Sequence, residues 1–525
     1  MSTAHPATVR GRQTITLVAV CLAVLVLPAS LTGTSVALPR ISAELNVGLA
    51  PLQWVVNSYN LTFACSMLAC GSLADILGRR RVFTAGTALF ALSTLLSAVT
   101  SDIIVLDVAR ALAGVGAAAV MTAGAAMLAA TFEGAALAGA FAVLGSSAGA
   151  GLALGPSSAG LLVDAFGWRA VFVSHLVVSM VVLAAVPLLP ESKNPNATKV
   201  DWAGTVTFTL SLFCLMLGIV LGPQRGWGSA GIVGFFAAAV LLMALFVVVE
   251  LRQRHPMFNI ALFKQRRFMA VSLIPVVLSF GFVCLLVLLP AFFTSAMGMG
   301  TDAAGVAMML LTLPVLMVPL VVSRLVKRGL STRIVLSGSL LVAAVGTGWL
   351  TVIESDTAVS ALVGPLLLIG IAMGMTAGLV DGVAITSVEP GHAGAAAGMF
   401  NTMRLAGETL AIAVMGAVLL NATGNRISDG LQGIAGRADA DAGAIAGQVV
   451  SGNLAGEAAG LAGAARTGFL DLLTGSYTGA LHTVLWTVTV ICALSAVVVH
   501  VMLRERETGA ALVESAEQTA AKAEA

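Results

Sequence analysis

Fourteen runs of about 20 or more predominantly apolar residues recur along this chain, at roughly 14–39, 51–73, 80–99, 103–130, 135–163, 168–189, 203–222, 228–250, 268–295, 302–325, 331–352, 357–387, 393–421 and 479–503. An α-helix rising about 1.5 Å per residue needs a run of that length to cross the hydrocarbon of a bilayer. No water reaches the backbone there, so each run must close its own hydrogen bonds as a helix. At 58% hydrophobic and 10% charged, the 525 residues lack the polar surface that a soluble domain requires. The expected fold class is an all-α polytopic membrane protein.

The basic residues between the runs test the count, because Lys and Arg accumulate on the cytoplasmic side. With the N-terminus inside, 19 of the 27 Lys and Arg fall in cytoplasmic segments or at the run ends beside them and six on the outside, leaving Arg110 and Arg404 in the interior of runs. One missed or invented run would scramble this asymmetry, so both termini are expected in the cytoplasm. Arg10 and Arg12 precede a first run too long for a signal-peptide core and lacking a small-residue cleavage site. Abundant Ala, Gly and Val, with Arg exceeding Lys, point to a GC-rich bacterial genome and hence a bacterial plasma membrane. All six cysteines lie in apolar runs, where they act as small hydrophobes, and their spacing suits neither a disulfide framework nor a metal site. The sequence shows no Gly-rich phosphate loop followed by Lys and no nucleophile and base constellation. Neither an enzyme nor a cofactor is expected.

"GSLADILGRRRV" (71–82), after the second run, has a weak echo in "SRLVKRGLSTRIV" (323–335), after the tenth. Internal duplication of this kind is usual in transporters. It divides the chain into a six-helix bundle (1–190), an inserted helix pair with cytoplasmic linkers (191–267), and a second six-helix bundle (268–525). The last would carry a long external loop over 423–478 and a cytoplasmic tail.

Three ordered motifs sharpen this picture. The first stretch reads G-x-L-x-D-x-x-G-R-R-R, with Gly71, Asp75, Gly78, Arg79, Arg80 and Arg81. Its glycines permit a tight turn, and Asp75 is placed to meet either an Arg or the positive end of a neighbouring helix. "LDVARALAGVGAA" (106–118) sets Arg110 inside the fourth run with Asp107 three residues earlier on the same face. A buried Arg costs roughly 2.5 to 3.5 kcal/mol at a helix centre, so a structural ion pair with Asp107 or a role in transport must retain it. The fifth run, "GSSAGAGLALGPSSAG" (145–160), carries Gly151, Gly155 and Pro156 in a small-residue face suited to close helix packing.

In this order the motifs resemble those of the major facilitator superfamily, and with fourteen runs the chain is similar to its drug and proton antiporters. Departures are specific: Ile76 stands where the family has Arg, Ala113 where it has Gln, and Ser30 and Ser35 where these antiporters often carry Asp and Asn. "GWRAVF" (167–172) follows where the family usually has Trp-Arg. The resemblance implies two six-helix bundles plus two inserted helices, a coupling role for Arg110, and export rather than import, since the fifth-run motif resembles the one that marks exporters.

The second bundle holds further ionisable residues. Asp381 lies in the twelfth run, and Asn401, Arg404 and Glu408 form one stripe of the thirteenth by steps of three and four. Folding the two runs back at a turn near Pro390 brings Asp381 level with Asn401, so Asp381 is expected to pair with Arg404 and leave Glu408 without a local cation. A carboxylate in that position can take up and release a proton, which makes Glu408 the first candidate for the proton site and Asp381 the second. The alternative is a static cluster pinning the two helices together. Trp54, Asn57, Tyr59 and Asn401 are candidates for the substrate cavity. The expected function is proton-coupled antiport of lipophilic drugs or antibiotics by alternating access, with export or flipping of an amphiphilic lipid or metabolite as the alternative and nutrient import a weaker one. Expected partners are a small lipophilic substrate, protons and membrane lipid, without nucleic acid or metal, acting on a monomer.

Overall fold

The computed structural model describes residues 6–45, 47, 49–193, 201–225, 229–253, 266–386, 393–431, 441–450, 452, 454–458 and 463–504. Among them, fourteen helical segments are long and apolar enough to cross a membrane: Gly11–Leu38, Trp54–Leu77, Arg79–Val99, Ile103–Thr131, Ala136–Phe166, Arg169–Leu188, Trp202–Gly222, Ala230–Arg252, Arg266–Ser295, Ala303–Lys327, Thr332–Val352, Val359–Thr386, Ala397–Leu431 and Ala465–Met502. They are numbered spans 1 to 14. The chain is an all-helical, multi-pass membrane protein, and the described residues contain no strand. Because the count is even, both described ends emerge on one side, called here the terminal face; the other is the far face.

Small residues set how closely the helices approach. A Cβ at Gly86 of span 3 would lie 2.6 Å from that of Ala119 in span 4, and one at Gly116 would lie 2.8 Å from the Gly86 carbonyl. Gly151 and Gly155 bring span 5 onto the backbone of span 1 at Leu25 and Ala29. With apolar lipid on all sides, such close packing replaces the hydrophobic effect as the force between helices. Pro156 is carried inside the continuous helix Gly134–Phe166. Each of the two echoing basic turns holds a glycine of positive φ, Gly78 (φ 111°) and Gly329 (φ 101°), which glycine adopts without penalty.

Two spans are interrupted. Span 9 passes through a π turn at Ser279–Val283, where the Ser279 hydroxyl donates to the Pro275 carbonyl at 2.7 Å. Span 12 breaks after Thr376 and restarts as Leu379–Thr386. Gly378 (φ 76°) makes the break, abutting the Phe141 carbonyl of span 5.

The inserted pair lies along the side of the molecule. Leu212 and Met216 of span 7 pack with Leu61, Ala64 and Cys65 of span 2 and with Leu405 and Ala406 of span 13, so span 7 covers a seam between the two bundles. Spans 7 and 8 are joined by the Ser211 hydroxyl donating to the Ala239 carbonyl at 2.7 Å and by Phe208 against Phe246, ring centroids 5.1 Å apart.

The loop expected over 423–478 is largely helix. Ala393–Leu431 and Gly463–Met502 are 39 and 40 residues long, about 60 Å each, and run well past a hydrocarbon layer of about 30 Å. Between them stand Ala442–Val450 and Leu454–Glu457. Ile427, Leu431, Ile445, Val449 and Phe469 are buried in the core of the second bundle, which they cap on the far face. The many Ala and Gly of this stretch read as loop by composition, whereas its sparse large residues suffice for a small packed cap.

Between the bundles, backbones come into direct contact at several points. A Cβ at Gly398 would lie 2.6 Å from the Met67 carbonyl, and one at Gly149 2.7 Å from that of Val315.

Candidate functional site

Arg110 is fully buried in the first bundle. Its Nε donates to the Val55 carbonyl at 3.1 Å and its Nη1 to the Ser30 hydroxyl at 2.9 Å. The guanidinium stacks 4.3 Å from the centroid of the Tyr59 ring, whose hydroxyl donates to the Leu27 carbonyl at 3.1 Å. Tyr59 thus supports Arg110. The expected ion pair with Asp107 is not formed: Asp107 is half-buried, and its Oδ1 has no hydrogen-bond partner among the described residues. The physical reason is reach. The long Arg110 side chain is drawn inward by a ring and two neutral acceptors, while the short Asp107 side chain stays near its own helix. Ser30, the departure from the family pattern in span 1, thus contacts the very Arg that an acid there would neutralise.

In the second bundle one cation faces two carboxylates. Arg404 Nη1 lies 3.7 Å from Asp381 Oδ1, and Arg404 Nε lies 3.8 Å from Glu408 Oε1. Asp381 therefore meets Arg404 as expected, but Glu408 is not left without a cation; Arg404 is shared. The i, i+4 spacing already permitted this contact. Both separations exceed hydrogen-bond length, so the guanidinium is held by charge without being committed to either acid. Asp381 occupies the first turn of the half-helix Leu379–Thr386, near the positive end of its backbone dipoles. The Arg404 and Glu408 side chains are 21% and 24% exposed against 9% for Asp381, so Glu408 is the more accessible acid. It lies about 17 Å along span 13 from Ala397.

The other cavity candidates are placed as follows. Asn401 is fully buried, with Nδ2 donating to the Ala397 carbonyl at 2.9 Å. Trp54 packs in the cluster under span 7, on the lateral seam. Asn57 is half-buried and makes no hydrogen bond among the described residues. Pro390, the expected pivot between spans 12 and 13, lies outside the described residues.

At the terminal face, Gly71, Asp75, Gly78 and Arg79 are buried, and Arg79 Nη2 pairs with Asp75 Oδ1 at 3.1 Å. Arg79 Nη1 also donates to the Ala126 carbonyl of span 4 at 3.4 Å. Arg80 and Arg81 do more than anchor a loop. Glu191, from the segment after span 6, lies 3.6 Å from Arg80 Nε and 3.7 Å from Arg81 Nε, and accepts from the Arg80 backbone N–H at 3.1 Å. Glu191 thereby caps the start of span 3, and a Cβ at Gly78 would sit 2.8 Å from its Oε1. On the far face the Trp168 indole donates to Glu44 Oε2 at 2.7 Å, Arg169 pairs with the same carboxylate, and Arg169 Nη2 donates to the Thr100 carbonyl at 3.3 Å. Arg169, then Trp168, hold the Glu44 carboxyl below the usual carboxylate range. Glu191 and Glu44 escape a reading of motifs because each lies in sequence far from the arginines it engages.

Comparison with known proteins settles the family. The family model described as the Major Facilitator Superfamily matches residues 20–412. The chain belongs to the Major Facilitator Superfamily. Relatives of this facilitator include the multidrug resistance protein Stp of Mycobacterium tuberculosis, 32% identical over 78% of this chain and 76% of that one. The tetracenomycin C resistance and export protein of Streptomyces glaucescens is 29% identical over 80% and 78%. In fold, the facilitator resembles the human organic anion transporter MFSD10 with a TM-score of 0.58 at 15% identity, over 94% of this chain and 100% of that one.

Proposed function

We propose that this facilitator exports lipophilic drugs or antibiotics across a bacterial plasma membrane in exchange for protons, with both termini in the cytoplasm. Its relatives named for drug resistance and export support the direction, and the basic turns on the terminal face support the orientation. The observation that carries the coupling is Arg404 shared between Asp381 and Glu408. With both acids ionised the cluster carries one net negative charge, which a single proton cancels. Asp381 is backed by a half-helix end as well as by Arg404, and Glu408 by Arg404 alone, so Glu408 is the acid that takes the proton.

Protonation releases Arg404 to Asp381 and removes a charge that would resist rearrangement between the bundles. At about 2.3 kcal/mol per charge per 100 mV, inward proton flow can drive a useful gradient of cargo. In everted vesicles with an imposed acid gradient, extrusion of a lipophilic dye should follow the gradient in the parent protein. It should fall to background in Glu408→Gln at equal expression. Extrusion indifferent to the gradient would remove proton coupling, and unchanged extrusion by the variant would remove Glu408 from it.

A further inference from the structure

A cavity of about 320 Å³ opens on the terminal face, apart from the transport site. It lies between the start of span 1, the start of span 3 and the segment after span 6, and Arg12, Ile15, Arg80, Leu188, Leu189 and Glu191 line it. Two guanidinium groups there oppose one carboxylate. Glu191 is already engaged, accepting from the backbone N–H groups of Arg80 at 3.1 Å and Ser192 at 3.2 Å while it faces the side chains of Arg80 and Arg81. Arg80 Nη1 donates to the Leu189 carbonyl at 3.0 Å. Arg12 is exposed, and its guanidinium has no protein partner among the described residues. Half-buried Ile15 and exposed Leu188 add an apolar wall to this basic floor. All of these residues stand at or just beyond the terminal-face ends of spans 1, 3 and 6.

We propose that this cavity binds the phosphate of an anionic phospholipid in the terminal-face leaflet. Arg12 and Arg80 hold phosphate oxygens, for which a guanidinium fork is well matched, and Ile15 and Leu188 lie along the upper part of the acyl chains. The apolar wall selects a lipid over a soluble phosphate. A bound lipid ties the start of span 1 to the basic turn at 78–81.

The test uses the full-length protein in detergent with phosphatidylglycerol, phosphatidylcholine or inorganic phosphate, reading retained lipid by native mass spectrometry and the melting temperature in parallel. Phosphatidylglycerol should be retained and raise the melting temperature, and phosphatidylcholine should do neither. Arg12→Gln should weaken phosphatidylglycerol retention about fivefold. Leu188→Trp, which fills the cavity mouth and leaves every charge in place, should weaken it as well. Equal retention of the two lipids, or retention unchanged in both variants, overturns the proposal. Protection by inorganic phosphate equal to that by phosphatidylglycerol assigns the site to a soluble anion and overturns the lipid.

Discussion

Arg110 sits fully buried between Ser30, the Val55 carbonyl and the Tyr59 ring, with no carboxylate in its ion-pairing range among the described residues. A cation held by neutral partners is stabilised less than one that is paired, and placing an acid beside it should show the difference. Ser30→Asp is expected to raise thermal stability by about 1.5 to 3 kcal/mol through a charge-assisted hydrogen bond, checked by thermal unfolding of the purified protein. Glu44 offers a pH-dependent counterpart. Its carboxyl is held below an ordinary value of about 4.3, so the clasp to Trp168 and Arg169 contributes fully above that value and is lost as pH falls through the lower folded one. Parent protein should therefore lose stability relative to Glu44→Gln between about pH 5 and pH 3, measured as the difference in melting temperature. At this scale the sequence showed which residues were costly to bury but not whom they would meet. Asp107 and Arg110 are three residues apart and do not pair, whereas Arg80 and Glu191 are more than 100 residues apart and do.

Helices in this protein are positioned by what glycine leaves out. Gly151 abuts the Leu25 carbonyl of span 1, and Gly160, on the same helix, faces open space. Gly151→Ala should cost about 1 to 3 kcal/mol by overpacking, and Gly160→Ala should leave the melting temperature unchanged or slightly raise it. Gly378 is constrained twice, by its φ of 76° and by the Phe141 carbonyl beside it. Gly378→Ala should shift the half-helix that carries Asp381 and lower efflux together with stability, by at least about 1 kcal/mol in the latter. Span existence and order were legible from apolar run length alone. The break in span 12 was not, because the run of apolar residues continues through it and the close approach of span 5 is a tertiary fact. The helical extensions of spans 13 and 14 were missed for a related reason: glycines scattered through the stretch weaken its helix propensity, so it commits to helix only where something packs against it.

Across the whole molecule, the two bundles touch on the terminal-face side where Gly398, at the start of span 13, lies on the Met67 backbone of span 2. A bulky residue there should hold that face apart. Gly398→Leu is expected to lengthen the distance between spin labels placed at exposed Arg81 and Arg328, measured by electron–electron resonance against the parent. An unchanged distance would show that this contact does not gate the terminal face. Span 7 lies across spans 2 and 13 and so bridges the seam between the bundles.

By itself the sequence determined that the chain crosses a membrane fourteen times, which side gathers the basic residues, and which few ionisable groups enter the bilayer. These follow from the cost of exposing polar backbone and charge to hydrocarbon, and that cost is local to each segment. Only the tertiary structure decided that Arg404 is shared, that Arg110 has neutral partners, and that Glu191 closes the basic turn. Such pairings depend on which helices become neighbours and on the reach of each side chain, which no single segment encodes.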